Sequence, residues 1–223
     1  MKPVLDALAE SGVADTATVV LVGSAARGRM HARSDIDVLV LHCDGRRIRL
    51  RRPGDIHLQQ DGRSRFLQRL EDGDDYPGWA LRLGIPVRDP DEWWAKHAAA
   101  EAANPHWPDW QAKVSPARKR IRMATRLLDV GDVEAASEEL LFGTSHVARA
   151  VLLKHGTFPL SRPEIPSQLK EIDVHLAALL ECLLGDSVDA AELRSGKLLL
   201  EQRILDLSST RPCRPRASTS PPT

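Results

Sequence analysis

The chain has 223 residues, 42% of them hydrophobic, and its 31 basic residues balance 31 acidic ones. That is enough apolar material for one large domain or two modest ones, and the neutral total exerts no global pull toward nucleic acid or a membrane surface. Cys43, Cys182 and Cys213 are odd in number and far apart, which speaks against a disulfide framework or a cysteine-rich metal site and for reduced thiols in the cytoplasm.

The opening "MKPVLDALAESG" carries two acids and makes a poor signal peptide, and no apolar stretch approaches the ~20 residues that cross a bilayer. Within residues 2–10, Val4, Leu5 and Leu8 share a helical face that ends at Ser11-Gly12. The β-branched run "TATVVLV" (16–22) predicts a buried strand, and "DIDVLVL" (35–41) predicts a second. Asp44-Gly45 suits the centre of a tight hairpin turn, so "RIRLR" (47–51) and, past Pro53-Gly54, "DIHLQ" (55–59) are expected to return antiparallel to that strand.

Phe66, Leu67 and Leu70 form a helical stripe, and Gly84 is placed to end a helix over 75–84. "IPVRDP" (85–90) reads as an edge strand. Asp89 with Pro90 marks the start of a helix over 89–103, in which Trp93 and Trp94 are packing groups. "NPHWPD" (104–109) separates this mixed half from a helical one. There, 116–130 aligns Ile121, Ala124 and Leu128, and 132–155 aligns Val133, Ala136, Leu140, Val147 and Val151. A proline-rich connector (157–166) leads to helices over 167–184 and 188–207, completing an antiparallel bundle. The Ser/Pro/Arg-rich tail is expected to be disordered. The expected domains are therefore 1–104, 105–208 and a tail of 209–223.

The chemistry concentrates in "VLVGSAARGRMHARSDIDVLVL" (20–41). Gly23 at a strand end permits a tight turn with open N–H groups, Ser24 adds a hydroxyl, and Arg27 stands one turn later; together they suit phosphate oxygens. Asp35 and Asp37 are two residues apart on one strand and so project to one face. Carboxylates that close repel unless a cation stands between them, and Mg²⁺ is the natural ion because it takes carboxylate and phosphate oxygens together.

The stretch Gly23-Ser24, ten residues, then Asp35-Ile36-Asp37 resembles the signature of the DNA polymerase β-like nucleotidyltransferase superfamily. Arg27-Gly28 and Ser34 also fall where its small bacterial members carry "RG" and "SD", and the likeness runs through about the first 60 residues. It implies an α+β fold in which an N-terminal mixed sheet with flanking helices precedes a C-terminal helical bundle, as in aminoglycoside nucleotidyltransferases. It also implies that Gly23, Ser24, Arg27 and Ser34 hold a nucleoside triphosphate while Asp35 and Asp37 bind two Mg²⁺ ions. The superfamily uses a third carboxylate on the next strand to activate the incoming hydroxyl. Asp55 is the candidate for that third catalytic and metal-binding position, with His57 in "IHL" as the alternative.

The expected reaction moves a nucleoside monophosphate from the triphosphate to a hydroxyl acceptor, a small molecule such as an aminoglycoside or a protein or RNA, with a small molecule favoured over long nucleic acid. A regulator, an antitoxin or a nucleotide-binding pseudoenzyme on the same fold is the alternative, and a homodimer is left open. Arg149 and His155, six apart, resemble a pair in small helical RNases, but the spacing is common by chance. His146 suits an interhelical contact, the basic run 117–122 a solvated helix face, and "EDGDD" (71–75) solvated helix caps.

Overall fold

Four of the five residues in Thr18–Val22 are β-branched, and they form strand β1, buried along nearly its whole length. In this computed structural model, which describes residues 6, 16–30, 35–43, 56–185 and 188–209, β1 lies inside a four-stranded sheet. Its neighbours are β2 (Ile36–His42) and β4 (Ile85–Arg88), both antiparallel to it, and β3 (Ile56–Gly62) lies beyond β2, giving the order β3-β2-β1-β4. A single helical turn, α1 (Gly23–Ala26), leaves the end of β1. The fold is α+β, as the sequence implies.

One expected pairing is corrected. β3 runs parallel to β2, with Ile36 opposite Ile56 and Asp37 opposite His57, so "DIHLQ" is not the returning arm of a hairpin. A two-residue turn can only reverse a strand, whereas a parallel partner needs a crossover of about a dozen residues. The thirteen residues 43–55 are long enough for one. Asp44-Gly45 and the segment 47–51 lie outside the described residues, as does the expected first helix apart from Asp6, which is helical.

Helices α2 (Arg63–Glu71), α3 (Asp75–Leu83) and α4 (Trp93–Ala103) follow β3 and flank β4. Phe66, Leu70, Ala80, Leu81 and Trp94 from these helices pack with Val20, Val22, Leu39 and Leu41 of the sheet into one apolar core. The tryptophans act as packing groups: Trp94 is fully buried, and both approach the Phe66 ring. Gly84 ends α3 with extended backbone, and an added side chain there would meet the Ala80 carbonyl at 2.6 Å and Val20 at 2.8 Å. Helix α4 begins later than expected, at Trp93. Asp89 still caps it, its carboxylate accepting from the N–H groups of Trp94 and Ala95 at 2.9 Å each.

The chain divides into two compact units, Met1–Trp107 and Pro108–Thr223. Every regular element among the described residues of the second unit is a helix. Helix α5 (Val114–Asp129) buries Ile121, Ala124 and Leu128, and α6 (Val133–Lys154) starts on an Asp132 cap and buries Ala136, Leu140, Val147 and Val151. The helix expected over 167–184 is two: a short α7 (Ile165–Leu169), which begins inside the proline-rich connector, and α8 (Val174–Leu184). The break comes at Asp173, whose carboxylate turns back to cap the N–H of Leu176. Helix α9 (Ala190–Ser209) completes the unit, and 210–223 lie outside the described residues. No described helix is long and apolar enough to cross a membrane.

Candidate nucleotide and metal site

At the end of β1 the chain must turn at once, and Gly23 does so with φ of +71°, a conformation that a side chain opposes. Directly opposite, Val22 pairs with Asp37 of β2. The carboxylate of Asp37 sits on the turn so closely that an added Cβ at Gly23 would lie 2.1 Å from Oδ2. The other oxygen, Oδ1, lies 2.9 Å from Nδ1 of His57, the residue paired with Asp37 across the parallel ladder. One third of the Asp37 side chain is exposed and about half that of His57, so the group opens to solvent.

Asp35 is exposed and immediately precedes β2, two positions from Asp37. Beyond Asp37 on the same face, Leu39 and Leu41 are buried in the core, and on the reverse face Val38 and Val40 are fully buried. The carboxylates therefore mark the place where an otherwise apolar strand comes to solvent. Ser24 lies in α1, where its carbonyl accepts from the N–H groups of Arg27 and Arg29 at 3.2 and 2.9 Å. Arg27 caps that turn and holds its guanidinium carbon 5.9 Å from the centre of the Trp79 ring. Ser34 and Asp55 lie outside the described residues.

Two residues that sequence reasoning passed over also belong to this region. Tyr76 of α3 packs against the core, with the Arg69 guanidinium 5.8 Å from its ring. Its hydroxyl is buried without a hydrogen-bond partner among the described residues. Burial, and secondly the negative charge of Asp37, push the phenol well above its ordinary value of 10.0. Trp79, one turn on, receives Arg27. In the sequence they stand in "DYPGW" (75–79), directly after an acidic run, and the periodicity of α3 assigns both simply to packing.

Among the described residues, no group of three His, Cys, Asp or Glu side chains is placed to hold one ion. Asp35 and Asp37 nonetheless suit a hard divalent cation: both offer carboxylate oxygens, and Asp37 is pressed onto a turn that only glycine can form so tightly.

A mixed sheet with a glycine turn facing a strand carboxylate is the arrangement that the resemblance in the sequence implies. The comparisons with known proteins agree: residues 2–77 match the nucleotidyltransferase domain family, and this region is a nucleotidyltransferase domain of the polymerase β-like kind. Among solved structures, a nucleotidyltransferase-like protein from Exiguobacterium sibiricum shares the fold, with a TM-score of 0.52 and 15% identity over 91% of this chain and 75% of that one. No curated protein matches.

Proposed function

We propose that the chain is a Mg²⁺-dependent nucleotidyltransferase that moves a nucleoside monophosphate from a nucleoside triphosphate to a hydroxyl of a small molecule. The observation that carries the reading is the seating of the Asp37 carboxylate on the Gly23 turn. In this reading the turn at Gly23-Ser24, with Arg27 and Ser34, holds the triphosphate beside the carboxylates. Asp35 and Asp37 would hold the divalent ions, which supply charge neutralisation along the triphosphate when bound. Asp55 is assigned the third carboxylate: it immediately precedes Ile56 as Asp35 immediately precedes Ile36, and those two isoleucines are paired.

The acceptor oxygen attacks the α-phosphorus in line, a P–O bond forms, the bond to the β-phosphate oxygen breaks, and pyrophosphate leaves. The acceptor's proton passes to a carboxylate of this group. A cytoplasmic setting, where triphosphate is abundant, belongs to the same reading.

A second reading rests on His57. A histidine, not an acid, pairs with Asp37 across the ladder, which suits a regulator or pseudoenzyme that binds nucleotide without transferring it. Incubation with α-labelled triphosphates, Mg²⁺ and separate pools of small molecules, tRNA and protein distinguishes the two. Label on a small molecule, lost in the Asp35→Asn/Asp37→Asn variant while the fold persists, is the expected result. Full transfer by that variant contradicts the site. Triphosphate binding without pyrophosphate release supports the second reading.

A further inference from the structure

Helix α6 carries Phe142, His146 and Arg149 at positions i, i+4 and i+7, so the three share one face. Arg162, from the segment between α6 and α7, places its guanidinium carbon 4.8 Å from the centre of the Phe142 ring. Arg120 of α5 stands 5.0 Å from the same ring. The arginines differ in what answers their charge. Arg120 donates to both carboxylate oxygens of Glu139, at 2.9 and 3.0 Å. Arg149 and Arg162 have no carboxylate partner among the described residues, and the Nε of Arg162 is buried without an acceptor.

This arrangement is costly. Burial, and then the charge of Arg149, hold the Arg162 guanidinium below its ordinary value, so the two cations press on one another in a half-buried setting. A buried N–H with no acceptor adds the loss of its bond to water. Neither arginine belongs to the apolar core of the helical unit, which closes on Ile121, Leu140, Val147 and Val151. A ligand with two negative charges and several acceptor oxygens would remove both costs together. A guanidinium fork held against an aromatic ring presents its donors in the plane that phosphate oxygens fit. A singly charged carboxylate would answer only one of the two cations.

We propose that Arg149 and Arg162 form a binding site for a phosphate dianion, either free phosphate or the monoester of a small molecule. The site is built within the helical unit and does not depend on the nucleotidyl-transfer reading.

Thermal unfolding of the full chain tests it, in inorganic phosphate, in ribose 5-phosphate and in sodium chloride of matched ionic strength. At ten times its Kd, such a ligand raises Tm by roughly 3–6 °C in a chain of this size. The shift is expected in at least one phosphate arm and not in chloride. It should vanish in R149Q/R162Q and persist in R118Q/R122Q, which removes two exposed arginines of α5, and in D35N/D37N. A shift with ribose 5-phosphate alone identifies an ester as the ligand, and a shift with both probes identifies the phosphate group itself. R162K keeps the charge, loses the fork and guards against loss of fold; it should bind about tenfold more weakly. No shift beyond chloride in the wild-type chain, or an undiminished shift in R149Q/R162Q, overturns the proposal.

Discussion

The carboxylate of Asp37 fills the space that a side chain on Gly23 would need: an added Cβ there would lie 2.1 Å from Oδ2. The glycine also has φ of +71°, so two separate penalties oppose any side chain at this position. Gly23→Ala is expected to cost about 2 kcal/mol, the left-handed conformation supplying roughly 1 and displacement of the carboxylate the rest. Urea unfolding measures this. In Gly23→Ala/Asp37→Ala the clash with the carboxylate is gone, while a 3.0 Å contact with the Cβ at position 37 and the backbone penalty remain, so the double variant should be more stable than Gly23→Ala alone. If it is not, the carboxylate does not pack on the turn.

His57 provides the next test, because it pairs with Asp37 across the parallel ladder. His57→Asp exchanges the 2.9 Å contact for two like charges facing across the β2–β3 ladder. Without divalent ions this should destabilise the domain by up to about 1 kcal/mol. Mg²⁺ should then raise the Tm of His57→Asp by more than it raises that of the wild-type chain, because a cation between the carboxylates removes their repulsion. Scans in EDTA and in Mg²⁺ decide it, and equal increments in the two proteins would contradict a cation site at Asp37.

Much of this geometry is legible in the residues. Alternation and β-branching mark β1 and β2, and the antiparallel pairing of those strands brings the Asp37 carboxylate to the Gly23 turn. The direction of β3 is not legible. Asp44-Gly45 is a strong local signal for reversal, yet strand direction is set by where the chain re-enters the sheet, and no local pattern records a crossover. The break before Asp173 escapes for a related reason: the apolar pattern runs through it, although α7 stops at Leu169 and the Asp173 side chain, capping the N–H of Leu176, starts the next helix. Tyr76 escapes because its consequence comes from burial beside Asp37, which is a property of packing.

Arg63 anchors the start of α2 to the segment before α4. Its nearly buried guanidinium donates to both oxygens of Asp91 and, at 2.7 Å, to the hydroxyl of Thr18. Arg63→Met removes these bonds and should lower the stability of the domain in urea unfolding. The pH dependence changes too. The bond to Arg63 holds the Asp91 carboxyl below its ordinary 3.8, so its stabilising effect is present above that value and fades as pH falls through the depressed one. Arg63→Met should lack this acid loss. An unchanged acid limb would show that the pair contributes nothing.

Tyr76 is the only tyrosine in the chain, so its ionisation can be followed by phenolate absorbance without interference from another phenol. Burial first, and the charge of Asp37 second, raise its pKa in the folded protein. Folded and unfolded chains both keep the proton below about pH 10, and there the group adds no pH dependence. Above that, the unfolded chain releases its proton while the folded chain retains it, so stability falls by about 1.4 kcal/mol per pH unit until the folded value is reached. Phenolate absorbance should therefore appear together with loss of far-UV circular dichroism, not ahead of it. Tyr76→Phe removes a buried hydroxyl that has no partner among the described residues. It should leave neutral-pH stability unchanged or raised by up to about 1 kcal/mol, and it should flatten the alkaline decline. Phenolate forming near pH 10 in a chain whose circular dichroism is still native would show that Tyr76 is neither buried nor under the influence of Asp37.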